Sequence, residues 1–471
     1  MKRMLNRQIL FTAALILLCS SCAFFPKAER GAPDGIPEAY RAGTPADALP
    51  LTNEWWRAFG DEQLNGIMAR ALGGNLSIEQ AAARLRQAEA SAVKAGAARF
   101  PEIGGSAKAG SEYRHTQNQR TVTTDSFELR LAASYEIDLW GRVASSRRAA
   151  LYELESSRYN LEAAAMTIAA ETAARYFEWQ QLSRQLEVLR QQLKTNRQML
   201  SVVEKRFETS DSSALNVLQQ RRQTLAVRAA LSPVKAALAA TANELAILTG
   251  APPQTELNLK PVPMPALPPA PDAGVPAELL ARRPDLQSKW ALLEAADYTV
   301  RAARADRLPA LTLTGAAWYG DDSISDLFNN WGKNFAAGLA APLLDGGRRR
   351  AEVRRVKALV AERFAAYREA AFTALGEVET AMSDEFYQKE YCERMRRQYA
   401  AAESAANEAF SRYTHGLETY FDALSLEVTR QNLEVNVVQA EYNLLLDRVR
   451  LYRVLGGDFS ELLKHNEAQK N

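Results

Sequence analysis

The chain has 471 residues, with 58 Lys and Arg against 56 Asp and Glu, three His and three Cys. Such a balance argues against a polyanion partner, nucleic acid included, and the length allows more than one domain. His115, His415 and His465 lie scattered without ligand spacing, and no phosphate loop, nucleophile elbow or zinc motif occurs; nothing here points to an enzyme or a metal site.

Residues 1–7 are basic through Lys2, Arg3 and Arg7, and residues 9–18 are apolar but too short to span a bilayer. Residues 1–21 therefore read as a secretory signal peptide, outside the fold. The stretch from Leu18 to Cys22 resembles the lipobox of bacterial lipoproteins, although Cys19 stands where leucine is usual. That resemblance makes Cys22 the acylated mature N-terminus. Its covalent lipid is the only attached group expected, and no cofactor is implied. The bland alternative is an ordinary signal with an incidental cysteine. Cys392 is left without a partner and reads as a small core residue.

Residues 22–54 are rich in Pro, Gly and Ala and read as an extended, lipid-anchored tether. Trp55, Trp56, Phe59 and Leu64 open the ordered structure. A helix starts at residues 75–78, with Ser77 as its cap and Gln80 at the capping-box position. Two strands follow, about 102–114 and 125–139, around a polar loop. In the second strand Phe127, Leu129, Leu131, Ala133, Tyr135, Ile137 and Leu139 alternate with polar residues, a period of two. After Gly141-Arg142 the composition becomes that of a helix lasting to about Thr209, roughly 100 Å at 1.5 Å per residue. The chain then turns near residues 210–213 and returns.

The second half repeats the first. Leu308-Pro309 answers Phe100-Pro101 at an offset of 208 (309 − 101), and Gly347-Arg348 answers Gly141-Arg142 at 206 (348 − 142). A register held this closely indicates internal duplication. The expected layout is a first repeat over 55–250, a proline-rich linker over 251–276, a second repeat over 277–457 and a tail over 458–471. The second strand pair is weaker, with alternation from Leu311 to Tyr319 and from Phe335 to Leu343. Gly141, Gly346 and Gly347 are expected to relieve crowding where strand becomes helix. Leu182, Leu186, Leu189, Leu193, Asn196, Leu200, Val203 and Phe207 form one coiled-coil seam, and a second runs from Phe421 through Gln431 to Tyr452. No segment after the signal reads as a membrane helix, which leaves a barrel as the integral option. Four strands cannot close one. Two copies would give eight strands, too tight for a pore, whereas three give twelve and a lumen.

Six motifs carry a resemblance: Trp55-Trp56 with Phe59 and Asp61, SYEIDLWGR (134–142), ALNVLQQRRQ (214–223), LLARRPDL (279–286), PLLDGGRRRAEV (342–353) and LYRVLGG (451–457). On these the chain resembles the TolC-like outer-membrane efflux channels, and within them the OprM/NodT-type lipoproteins. The resemblance implies an α+β membrane protein working as a homotrimer in the outer membrane. Four strands per chain would complete a twelve-stranded barrel, continued by antiparallel coiled-coil helices as a periplasmic tunnel. It implies a periplasmic adaptor and an inner-membrane pump, often of the resistance-nodulation-division class, with this chain as a passive exit duct for drugs and toxic compounds. It also implies a periplasmic gate in TYFDALS (419–425). Asp422 matches an acidic position there, while Ser425 stands where many relatives have a second Asp. Tyr413 matches a tyrosine that ties the closed aperture, and Asn216 is the repeat counterpart of Asp422. The plainer readings are a solvated Asp at a helix start and a seam aromatic. Trp140 serves as a membrane-interface anchor or as packing, and Arg348-Arg349-Arg350 face solvent, headgroups or a neighbouring chain. Two rival functions are a periplasmic adaptor lipoprotein and a lipid-anchored enzyme.

Overall fold

A computed structural model describes residues 35–41, 43, 48–115, 121–457, 459–460 and 463. The described chain divides into two compact units: one holds Arg84–Arg158 and Ser288–Glu369, the other the remaining described residues. Cys22 and the signal lie outside the described residues.

After a 3-10 turn at Trp55–Phe59, the elements run α1 (Glu62–Gly74), α2 (Leu76–Ala97), β1 (Glu102–His115), β2 (Thr121–Ile137), α3 (Arg142–Glu208) and α4 (Ala214–Leu248). The second half gives α5 (Pro276–Arg282), α6 (Pro284–Ala305), β3 (Ala310–Asp321), β4 (Trp331–Ala340), α7 (Arg348–Thr414) and α8 (Tyr420–Leu455).

In the first unit the four strands form one antiparallel sheet in the order β1-β2-β3-β4. Register decides its character. Leu129 lies opposite Ala107 and Tyr319, Leu131 opposite Gly105 and Ala317, and Ile137 opposite Leu311, which in turn faces Leu339. Directly opposed residues share a face, so the alternation adds up to one mainly apolar face across all four strands, interrupted in β4 by Lys333, which lies opposite Ala317 and over the Trp331 ring. Arg130, Glu128, Thr312 and Asn334 belong to the other face, where the Arg130 guanidinium lies 5.6 Å from the Trp318 ring centre. Among the described residues β1 and β4 are paired on one side only.

The strand-to-helix junctions are built by carboxylate caps. Asp138 accepts from the N–H groups of Val143 and Ala144 (3.0 and 2.7 Å), and Asp345 accepts from those of Gly347 and Arg349 (3.0 and 3.2 Å). Gly141, Gly346 and Gly347 have φ of 72°, 62° and 86°. A Cβ at Gly346 or Gly347 would meet nothing within 4 Å. Left-handed backbone, not the expected crowding, therefore asks for glycine. Trp140 donates from Nε1 to the Pro309 carbonyl at 2.7 Å, tying the end of β2 to the start of β3. β4 stops at Ala340, short of the expected Leu343, because Pro342 has no N–H for a ladder.

The second unit holds the far parts of the long helices. Trp55 stacks on Tyr452 at 5.0 Å, and Phe59 packs on Phe177 at the same distance. Asp61 caps α1 through Gln63 and Leu64 and accepts from the Tyr176 hydroxyl at 2.6 Å. The cap of α2 is Asn75, which accepts from Ser77 and Ile78, and not Ser77 itself. The proline-rich stretch is strapped to this unit by side chains. Gln63 and Gln180 accept from the N–H groups of Lys260 and Val262 (2.9 and 3.0 Å), and buried Arg448 donates to the Pro268 and Pro269 carbonyls.

Seam leucines Leu182, Leu186 and Leu189 pack against Val234 of α4, with Val435 alongside. Phe207 and Phe421, assigned to seams from their spacing, are 48% and 62% exposed. α4 also departs from expectation, since its length and hydropathy would suit a bilayer span. It is alanine-rich, however, and lies in a hairpin with α3.

Candidate aperture at the helical hairpin tips

The two turns that join α3 to α4 and α7 to α8 have the same backbone. Asp211 N–H donates to the Arg206 carbonyl and Ser210 N–H to Phe207; Leu417 donates to Arg412 and Gly416 to Tyr413. Both are Schellman endings with the key residue left-handed, Ser210 at φ 61° and Gly416 at 73°. Ser210 thus fills the place of a glycine. Each following helix is hydroxyl-capped, by Ser213 to the Asn216 N–H at 3.3 Å and by Thr419 to the Asp422 N–H at 3.2 Å.

These caps employ two of the expected gate residues. Asp422 is exposed, and its carboxylate accepts from the Thr419 hydroxyl. Asn216 donates from Nδ2 to Ser212 Oγ at 3.2 Å. Ser425 is exposed, and its carbonyl accepts from the Thr429 hydroxyl at 2.9 Å. Tyr413 is 7% exposed and packs with Val203, Ala409, Tyr420, Ala423 and Leu424. The Arg206 guanidinium lies 4.8 Å from its ring centre, and Arg206 Nη1 donates to its carbonyl at 3.3 Å. No partner for the buried Tyr413 hydroxyl is found among the described residues. Tyr413 and Arg206 therefore join the hairpins, while Asp422 and Ser425 stay on exposed surface.

A second feature lies further from the turns, and sequence reading missed it. Asn196 and Gln220 are fully buried, and Gln192 and Gln431 nearly so. Asn196 Nδ2 donates to Gln431 Oε1 (3.1 Å), Gln220 Nε2 to Asn196 Oδ1 (3.1 Å) and Gln192 Nε2 to the Gln431 carbonyl (2.9 Å). Gln431 Nε2 donates to Glu427 at 2.6 Å, and Arg430 closes the network on Glu427 at 2.8 and 2.9 Å. Tyr420 donates its hydroxyl, pushed up in pKa by burial, to Gln220. This polar layer ties α3, α4 and α8 together inside an otherwise apolar seam. Asn196 and Gln431 were visible as polar residues in seam slots; their pairing across helices needed the fold.

The family model for outer membrane efflux proteins matches residues 67–251 and 275–457. The chain belongs to that family. The gap in the match, residues 252–274, falls in the strapped proline-rich stretch. The pyoverdine export outer membrane protein OpmQ of Pseudomonas aeruginosa is 33% identical over 427 residues, covering 89% of this chain and 90% of that one. Nodulation protein T of Rhizobium leguminosarum is 26% identical over 462 residues, covering 96% and 94%. The solved outer-membrane channel OprN matches with a TM-score of 0.86 at 26% identity, over 92% of this chain and 99% of that one. As a member of the outer membrane efflux family, the chain is the outer-membrane channel component of an efflux pump. The adaptor alternative ends here.

Proposed function

We propose that the chain works as a homotrimer, its three sheets joined edge to edge in a twelve-stranded barrel and its helices continuing as a periplasmic tunnel. The observation that carries this is the register: one mainly apolar face runs across all four strands, while β1 and β4 each keep an open edge. In lipid an unpaired edge leaves a row of backbone groups unsatisfied at several kcal/mol each. Since β1 and β4 run in opposite directions, head-to-tail joining keeps the sheet antiparallel and closes it. The duct is passive and without catalysis. A periplasmic adaptor and an inner-membrane pump of the resistance-nodulation-division class deliver small molecules to it, drugs and toxic compounds among them. Cys22 carries the lipid. Asp422 lines the constriction, with Asn216 as its uncharged counterpart, Ser425 weakening any second acidic ring, and Tyr413 holding the hairpins.

Internal duplication is part of the proposal. α3 and α7 each have 67 residues and start 206 apart (348 − 142). Asn75 donates to the Leu248 carbonyl where Arg283 donates to Val454, again 206 apart (454 − 248).

The test is the mass of the purified protein in detergent micelles by native mass spectrometry. Three copies per particle are expected. A monomer that keeps its helix content would reject the shared barrel.

A further inference from the structure

The four strand-to-helix junctions lie at one end of the sheet, because Glu102 pairs near Ser134, Ile137 with Leu311 and Ala310 with Ala340. That end is strongly cationic. The first ten residues of α7, RRRAEVRRVK, hold six cations and one carboxylate. Some of these charges have partners inside the unit: Arg349 with Asp306 and Asp345, and Arg355 with Glu352. Arg348, Arg350 and Arg354 are exposed and have no carboxylate partner among the described residues, as are Arg99 at the foot of β1 and Arg307 at the foot of β3. Helix stability does not explain the run, since the dipole disfavours cations in a first turn. The cations are not spread evenly over the unit: the β3–β4 loop at the other end, residues 322–330, carries Asp322 and Asp326 and no cation.

Beside the cations the surface turns apolar. Ile103 and Leu339, near the feet of β1 and β4, are exposed on the apolar face, and Leu344 is 99% exposed. Trp140 sits at the same level on its bond to Pro309. An apolar band with an aromatic at its margin and unpaired arginines next to it is the profile of a protein seated at a lipid headgroup boundary.

We propose that this arginine collar binds the anionic phospholipid headgroups of the leaflet on the helical side of the membrane. The phosphates supply the carboxylate-like partners that Arg348, Arg350 and Arg354 lack, in bidentate geometry that suits guanidinium. The inference rests on the barrel reading, which sets those junctions at the membrane surface.

The experiment compares the full chain with the triple variant Arg348→Gln, Arg350→Gln, Arg354→Gln. Native mass spectrometry in detergent counts bound phosphatidylglycerol and phosphatidylcholine of matched chain length. Each arginine near an anionic surface contributes a factor of about five. The wild type is therefore expected to prefer phosphatidylglycerol, and the variant to lose its affinity on the order of a hundredfold while keeping the oligomeric mass. The matching triple lysine variant keeps most of the binding, and raised salt weakens it. Equal binding of both lipids by the wild type, or unchanged phosphatidylglycerol binding by the glutamine variant, would overturn the collar. A protein that forms a normal trimer without lipid preference sinks this inference alone; one that fails to form a trimer sinks the barrel reading beneath it.

Discussion

Ser210 occupies a left-handed position of the kind that Gly416 fills in the turn of the second hairpin. A side chain there costs about 1 kcal/mol. Ser210→Gly is thus expected to raise the thermal dissociation temperature by a few degrees, and Ser210→Val to lower it further than a Glu208→Gln change at the exposed neighbouring position. Asp447 gives a second residue-scale expectation. Burial first, then the neighbouring Asp384 and Glu385, push its carboxyl up to about 6. The folded pKa is thus above the unfolded value of about 3.9, so the folded state holds the proton more tightly. This contribution is present at low pH and is lost as pH rises through 6. Asp447→Asn is therefore expected to stabilise the protein at pH 8, on the order of 1–2 kcal/mol, and to change little at pH 4. Melting curves at the two pH values measure the difference; an equal shift at both would show that the carboxyl titrates normally.

At the scale of elements, the buried amide layer fixes how α3, α4 and α8 sit together. Gln220→Leu leaves Asn196 Oδ1 and the Tyr420 hydroxyl without their Gln220 partner. A buried polar group so orphaned costs about 1–3 kcal/mol. The variant should dissociate at clearly lower temperature than one with the exposed Arg222→Leu change, and no difference would mean that water replaces the amide. The alternation of β2 and the change of period at Gly141 were legible because period two and the helical pattern are local signals. Element ends were less so. Asn75 and Ser77 are both good caps, and only the backbone decides between them. Phe207 and Phe421 obey heptad spacing, yet each stands at a hairpin tip where the partner helix has run out. The cap roles of Asp422 and Asn216 are local and could have been read from Thr419 and Ser213, three residues upstream. The Asn196–Gln431 pairing joins residues 235 apart in sequence and could not.

For the molecule as a whole, we propose a channel whose narrow end lies at the α8 tip. The sheet's apolar face and open edges argue for the pore, and Asp422 is the residue proposed to supply the charge at the constriction. Asp422→Asn keeps a side-chain oxygen to accept from the Thr419 hydroxyl and removes only that charge. The most direct measurement is single-channel conductance of the purified protein in planar bilayers, wild type against Asp422→Asn. The wild type is expected to form small, cation-preferring channels, and the variant to lose that preference. Identical selectivity in both would remove Asp422 from the constriction, and a well-folded trimer that never conducts would contradict the channel itself.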